Sequence, residues 1–298
     1  EAHQLLGSLL RQAGRLVEAA SAYREAVADF TAAGAEAEAA GTGYALAAIY
    51  RSLDRNLEAA ELLEQYLPVY RAHGDEIATA RTELLLAQAL SAIGEADSAS
   101  AHAANATEAL LAEGAWEATA DAAMFAATHS ERRGNADDAA RHYGQAVEAF
   151  GAWGEPVMAA QAARRQAKMT FLNDREAGRA LFAAALERID ALPPGDEVQL
   201  QWERADWNDD LAWALWMADL NEEAVAPCAA AEAAYLASGD VAGAGRAALF
   251  GSQLVSERGD WAAAREHAQR ALALFEQAGL EEWVIEAQDK LSNLPDED

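Results

Sequence analysis

Residues 134–150, GNADDAARHYGQAVEAF, decide how the chain folds. Counting from Gly134, the residues Ala139, Tyr143, Ala146 and Phe150 stand at offsets of 5, 9, 12 and 16. Steps of three and four put side chains on one face of an α-helix, so this run is a helix with one apolar stripe. The same ruler laid from Gly14 reaches Ala19, Tyr23, Ala26 and Phe30. From Gly94 it reaches Ala99, Ala103, Ala106 and Leu110, and from Gly259 it reaches Ala264, Ala268, Ala271 and Phe275. A second set of glycines, Gly34, Gly74, Gly114 and Gly154, recurs at intervals of 40 residues, and Gly239 and Gly279 stand 40 apart again. Self-similarity at such a period marks a repeat protein, whose units pack mainly on their neighbours.

Each unit reads as two helices of roughly 16–18 residues, each about 25 Å long. Between Gly34 and Asp54 the first helix carries Leu46, Ala47 and Tyr50 on one face, and the next helix carries Ala59, Leu63, Tyr66 and Tyr70. The small residue at offset 5 lets paired helices approach closely, and the aromatic at offset 9 or 16 fills the space between units. Glycine after a helix suits the left-handed cap position. Asp54, Asp219 and one of Asn173 and Asp174 take the place of the turn glycine and are expected in the same backbone region. The units run approximately 1–34, 35–74, 75–114, 115–154, 155–195, 196–239 and 240–279. Residues 280–294, with Trp283, Ala287, Leu291 and Leu294 on one face, are predicted to form a terminal cap. Two irregularities interrupt the period. A helix over 156–172 begins with Pro156, and Leu192 is followed by the break Pro193, Pro194 and Gly195. Beyond it the marker spacing stretches from 40 to 46 residues, between Gly178 and Ala224, which lengthens a helix over 197–217.

These features resemble the tetratricopeptide repeat, a helix-turn-helix unit with Leu and a small residue in its first helix, then Gly, Ala, an aromatic and Ala. Leu6, Gly7 and Leu10 before Gly14 carry the resemblance, as do Leu46, Ala47 and Tyr50 in the next unit. The units are longer than the family's usual repeat, and the early Trp of the first helix is absent. The resemblance implies an all-α, right-handed α-solenoid of about seven helical pairs plus a C-terminal capping helix, one continuous domain over residues 1–298. It also implies a concave groove lined by the first helix of each pair.

Composition points the same way and excludes several functions. Of the 298 residues 80 are alanine and only 6 are proline, which favours helix over strand. The formal charge of −28 opposes nucleic acid and anionic membrane as partners, since both need clustered Lys and Arg. No run of 18 apolar residues spans a bilayer, and no signal-peptide layout opens the sequence. The single cysteine, Cys228, forms no internal disulfide. A cytoplasmic protein is expected, and a start at Glu1 without Met suggests a fragment of something longer. His3, His73, His102, His129, His142 and His267 lack metal-ligand spacing, so neither metal nor cofactor is expected. His142 and His267 are expected at the surface. The pairs Gly41 and Gly43, and Gly243 and Gly245, lie inside helical patterns and are read as close-packing sites rather than phosphate loops. Cys228 occupies the offset-9 core slot and reads as a small buried hydrophobe. Asp137 and Asp138 open a helix, where carboxylates complement its dipole.

What remains is surface. The slots implied by the resemblance are Tyr44, Ala48 and Arg51, then Arg81, Leu84 and Gln88, then Asp121, Met124, Thr128 and Arg132. In the stretched unit they are Asp206, Asp209, Trp213, Trp216 and Met217, and in the next Arg246, Leu249 and Gln253. Trp207 is expected to pack with Leu211 and Leu215. With Met158, Ala162, Met169 and Leu172 as the packing stripe of 156–172, Arg164 and Lys168 fall on the opposite, exposed face. The expected function is a non-catalytic scaffold holding a peptide or protein segment, with Trp213, Trp216 and Met217 beside Arg164 and Lys168 as the main site. A second reading from the same resemblance is the sensor half of a larger regulator, in which a small molecule or signalling peptide acts through the groove.

Overall fold

The computed structural model describes residues 1–192 and 197–295, so Pro193, Pro194 and Gly195 lie outside the described residues. Among the described residues there are fifteen α-helices and no strand, an all-α helical-repeat solenoid. In sequence order they are α1 (Ala2–Gln12) and α2 (Leu16–Ala32), α3 (Glu36–Ser52) and α4 (Asn56–His73), α5 (Glu76–Ala92) and α6 (Ala96–Ala112). Then come α7 (Trp116–Arg132) and α8 (Ala136–Trp153), α9 (Pro156–Asn173) and α10 (Arg175–Asp190), α11 (Glu197–Met217) and α12 (Asn221–Ser238). The last are α13 (Val241–Ser256), α14 (Trp261–Ala278) and α15 (Glu281–Ser292). None of them is long and apolar enough to cross a membrane. The chain divides into two compact units: Glu1–Asn135 with Glu148–Trp153, and Ala136–Val147 with Gly154–Asp298.

The ten marker glycines all take positive φ, Gly134 for instance at 73°. Asp54 and Asp219 follow them at 60° and 57°. The third expected substitute does not. Asp174 is extended at φ −136°, and its side chain accepts from the backbone N–H of Ala177 to cap α10. That turn is made by an N-cap carboxylate, a device also used by Asp75, Asp240 and Asp260.

In the first unit the core is alanine and leucine threaded by tyrosine. Ala19, Tyr23, Leu46, Ala47, Leu63 and Leu86 form one buried cluster, and the offset-12 residue Ala106 packs with Leu110 and Ala122. Close approach depends on missing Cβ atoms. A Cβ on Gly7 would lie 2.9 Å from Tyr23, and one on Gly43 would collide with Tyr66. Gly41, by contrast, is exposed with open space around it, so the close-packing role belongs to Gly43 alone of that pair.

In the second unit the core is more aromatic. Phe171 packs edge-on against Phe182 at 6.2 Å between ring centroids, and Phe182 against Trp207 at 6.1 Å. Trp207 is anchored by its indole N–H, which donates to the Phe182 carbonyl at 2.8 Å. His142 is buried rather than at the surface, with Nδ1 2.8 Å from the Gln145 side-chain oxygen, and His267 is half-buried. Each ring is met by a polar side chain one turn along its own helix, Gln145 for His142 and Arg270 for His267. Ala287, Trp283 and Val284 of α15 close over Phe275, Ala271 and Ala248, which is the capping arrangement expected of 280–294.

Candidate functional site

In the second unit, α9, α11, α13 and α15 surround an open cavity of about 570 Å³. Its apolar lining is Trp213 from α11, Leu249 and Phe250 from α13, and Trp283 from α15. Trp216 supports Phe250 edge-on at 5.7 Å. Three cations reach the cavity. The Lys168 ammonium sits 4.3 Å over the Trp213 ring and 2.7 Å from Oδ1 of Asp210, so both of its faces are occupied. Lys290 donates to Gln253 at 2.6 Å and to Ser256 at 3.1 Å, both neutral, and burial holds its pKa below the ordinary lysine value against the pull of Glu257. Arg246 is exposed and makes no hydrogen bond or ion pair among the described residues. Acidic lining comes from Asp209, Glu286 and Asp289. Burial, reinforced by the neighbouring carboxylates of Asp210 and Asp206, pushes Asp209 up to about 6 although Lys168 and Arg246 pull it down.

Behind the cavity lies a polar network. Arg164 is buried and forks to Asp206 at 2.8 Å and to Asp210, and also donates to the Asp206 carbonyl at 3.2 Å. The Tyr235 hydroxyl donates to the other Asp206 oxygen at 2.6 Å. Gln161 and Gln199 both donate to Glu203, which is fully buried and whose pKa is raised chiefly by desolvation.

In the first unit two smaller cavities, one of about 290 Å³ between α3, α5 and α7 and one of about 270 Å³ between α3, α4 and α5, share Tyr44 and Arg81. Gln88 lines the larger and accepts a hydrogen bond from Arg51. Thr128 spends its hydroxyl on the Met124 and Phe125 carbonyls of its own helix, and Arg132 donates to the Thr128 carbonyl at 3.3 Å. No group of three or more His, Cys, Asp or Glu among the described residues is placed to hold a metal ion.

No protein-family model matches the sequence, and neither does any curated protein. Solved structures do resemble its fold. A tetratricopeptide repeat protein from Parabacteroides merdae ATCC 43184 is 16% identical, with 97% of this chain and 98% of that chain covered at a TM-score of 0.52. The chain has a tetratricopeptide-type repeat fold. The apo form of RapI shares this tetratricopeptide-type arrangement at 14% identity, with 97% of both chains covered and a TM-score of 0.55. Nearly identical TPR-like repeats from Podosopora anserina cover 63% of this chain and 93% of theirs, at 17% identity and a TM-score of 0.51.

Laid on the tetratricopeptide-type register, the expected site residues separate into groups. Lys168, Trp213, Arg246 and Gln253 line the large cavity. Tyr44, Arg81 and Gln88 line the cavity of the first unit, with Arg51 bonded to Gln88. Met124, Thr128 and Arg132 line none of these cavities, and Met217 is exposed beyond the large one. Trp216 is half-buried and donates its N–H to Glu257 at 3.0 Å. The exposed basic island is corrected. Of the expected stripe Ala162 and Met169 are buried and Met158 and Leu172 are exposed, while Ala160, Ala163, Ala167 and Phe171 are buried as well, so the packed surface of α9 is broader than that stripe and takes in Arg164. Lys168 stays at the cavity but is committed to Asp210. The cavity residues missed were Phe250 and, on α15, Trp283, Glu286, Asp289 and Lys290. A lysine is rare in this chain, one of two, and that scarcity was the available signal.

Proposed function

We propose that the chain is a non-catalytic interaction module and that its second unit holds a peptide or protein segment in the cavity between α9, α11, α13 and α15. The observation carrying this reading is the pairing of an aromatic wall, Trp213, Phe250 and Trp283, with two cations that make no ion pair among the described residues, Arg246 and Lys290. A segment that inserts a bulky apolar side chain and sets a carboxylate beside those cations matches both halves of the lining. The non-catalytic reading is supported by Cys228, whose buried thiol is pushed up to about 12.

The test uses the purified protein as bait and carries any captured partner through to a measured affinity. Trp213→Ala and Arg246→Glu are each expected to weaken binding about tenfold or more, with helicity and melting retained. Unchanged affinity in both variants, with the fold intact, overturns the placement.

A further inference from the structure

The first unit carries an arrangement that the proposed peptide site does not use. Of its arginines, Arg15, Arg55, Arg71 and Arg133 each sit against a carboxylate, respectively Glu18, Glu58, Glu83 and Asp97. All four are exposed. Arg51 is the one arginine of this unit that is not exposed, and it has no carboxylate among the described residues. Among the described residues its one hydrogen bond runs from Nη1 to the side-chain oxygen of Gln88, and its Nε is buried without a partner. Burial lowers its pKa, and the one group that opposes this is the Tyr44 hydroxyl rather than any Asp or Glu. In a protein with 50 acidic and 22 basic residues, a guanidinium withdrawn from water and left uncompensated is an unfavourable arrangement that an anion would relieve.

The surroundings converge on the same chemistry. Arg81, one helix away, is exposed and makes no hydrogen bond or ion pair among the described residues. Both arginines act on Tyr44, whose pKa is nevertheless raised by burial, so its hydroxyl keeps its proton and remains a donor. Because Gln88 accepts from Arg51 through its carbonyl, its amide N–H₂ is the end left to donate. Arg81, Gln88 and Tyr44 line one cavity of about 290 Å³, whose far side on α7 carries Glu117 and Asp121. Those carboxylates set a limit on size: the ligand must be compact enough to stay on the α3 and α5 side.

We infer that the first unit binds a small oxyanion, a carboxylate or phosphate group, on Arg81, Gln88 and the Tyr44 hydroxyl, with Arg51 acting from behind Gln88 through its charge and its hydrogen bond to that side chain. Planar guanidiniums offering paired N–H groups are suited to such oxygens, and charge-assisted bonds of this kind are the stronger ones.

The experiment titrates the whole protein with inorganic phosphate and, separately, with acetate, at constant ionic strength set with chloride. Arginine Nε–H and backbone signals are followed by NMR, alongside melting temperature. Saturable shifts at Arg51 and Arg81 are expected, with a rise in melting temperature that tracks occupancy. Arg81→Gln, at an exposed position, and Tyr44→Phe, which keeps the packed ring and removes only the hydroxyl, are expected to weaken that binding roughly tenfold and threefold. Arg188→Gln, an exposed position of the other unit that lines neither site, should leave it unchanged. Preference for phosphate over acetate identifies a phosphoryl ligand, and the reverse a carboxylate. No saturable shift with either anion overturns the inference, as does saturable binding that Arg81→Gln and Tyr44→Phe leave intact.

Discussion

Arg51 and Arg164 are both arginines on the leading helix of a pair, and both are withdrawn from water, yet their surroundings are opposite. In the second unit Arg164 is enclosed by Asp206 and Asp210, which are tied in turn to Tyr235 and Lys168. In the first unit Arg51 meets a neutral amide and a phenol. Burial of a charge therefore says little until its company is known. The first is a crosslink between helices, and the second is a charge with no acidic partner among the described residues.

Removing each charge should expose that contrast most sharply. Arg164→Met leaves Asp206 with the Tyr235 hydroxyl but no cation among the described residues and Asp210 with Lys168 alone, at side-chain exposures of only 19% and 13%, and should destabilise the second unit by about 3–5 kcal/mol in chemical denaturation. Arg51→Met strands no carboxylate and should change stability by less than about 1 kcal/mol in either direction. Equal losses in the two variants would dissolve the distinction. Apolar packing gives the next comparison. Phe150 is buried, so Phe150→Ala should cost roughly 3 kcal/mol or more, whereas Glu148→Ala two residues earlier and exposed should stay within about 0.5 kcal/mol.

A smaller effect is expected from pH. Asp209 titrates near 6 in the folded protein, against about 3.9 for an unperturbed Asp. Between those values the folded state holds a proton that the unfolded state has released. Stability from this group is therefore complete below about pH 4 and is lost as pH rises towards 6, then level above it. Asp209→Asn should remove that slope and be more stable than the parent above pH 6 by about 1–2 kcal/mol, measured as the difference between the two proteins at each pH. A parallel pair of pH curves would show that the carboxylate is better solvated than its neighbours Asp206 and Asp210 imply.

The helical pairs were legible because a repeat states its burial pattern many times over. Ala19, Ala99, Ala139 and Ala264 are all fully buried at offset 5, and one misread residue is outvoted by its equivalents. Helix α11 follows the expected 197–217 span for a different reason, since the Pro193, Pro194 and Gly195 break and Asp219 bracket it in the sequence. Arg164 was misplaced because its partners lie 42 and 46 residues away, across the stretched spacing that the repeat rule does not describe. Trp283 was legible as a cap residue but not as cavity lining, because the stripe that covers Phe275 and the edge that borders the cavity lie on one short helix. Which cations keep a carboxylate depends on such distant pairings, and so the character of each site emerged only with the fold.

Cys228 has a consequence of a different kind. Its sulfur lies 3.2 Å from the Ala247 carbonyl, between α12 and α13, and the thiol stays protonated at ordinary pH. A thiol-reactive dye added to the native protein must wait for those helices to part. As the chain's lone cysteine, it makes the labelling rate a readout of local opening in the second unit, silent to fraying in the first, with no engineered probe.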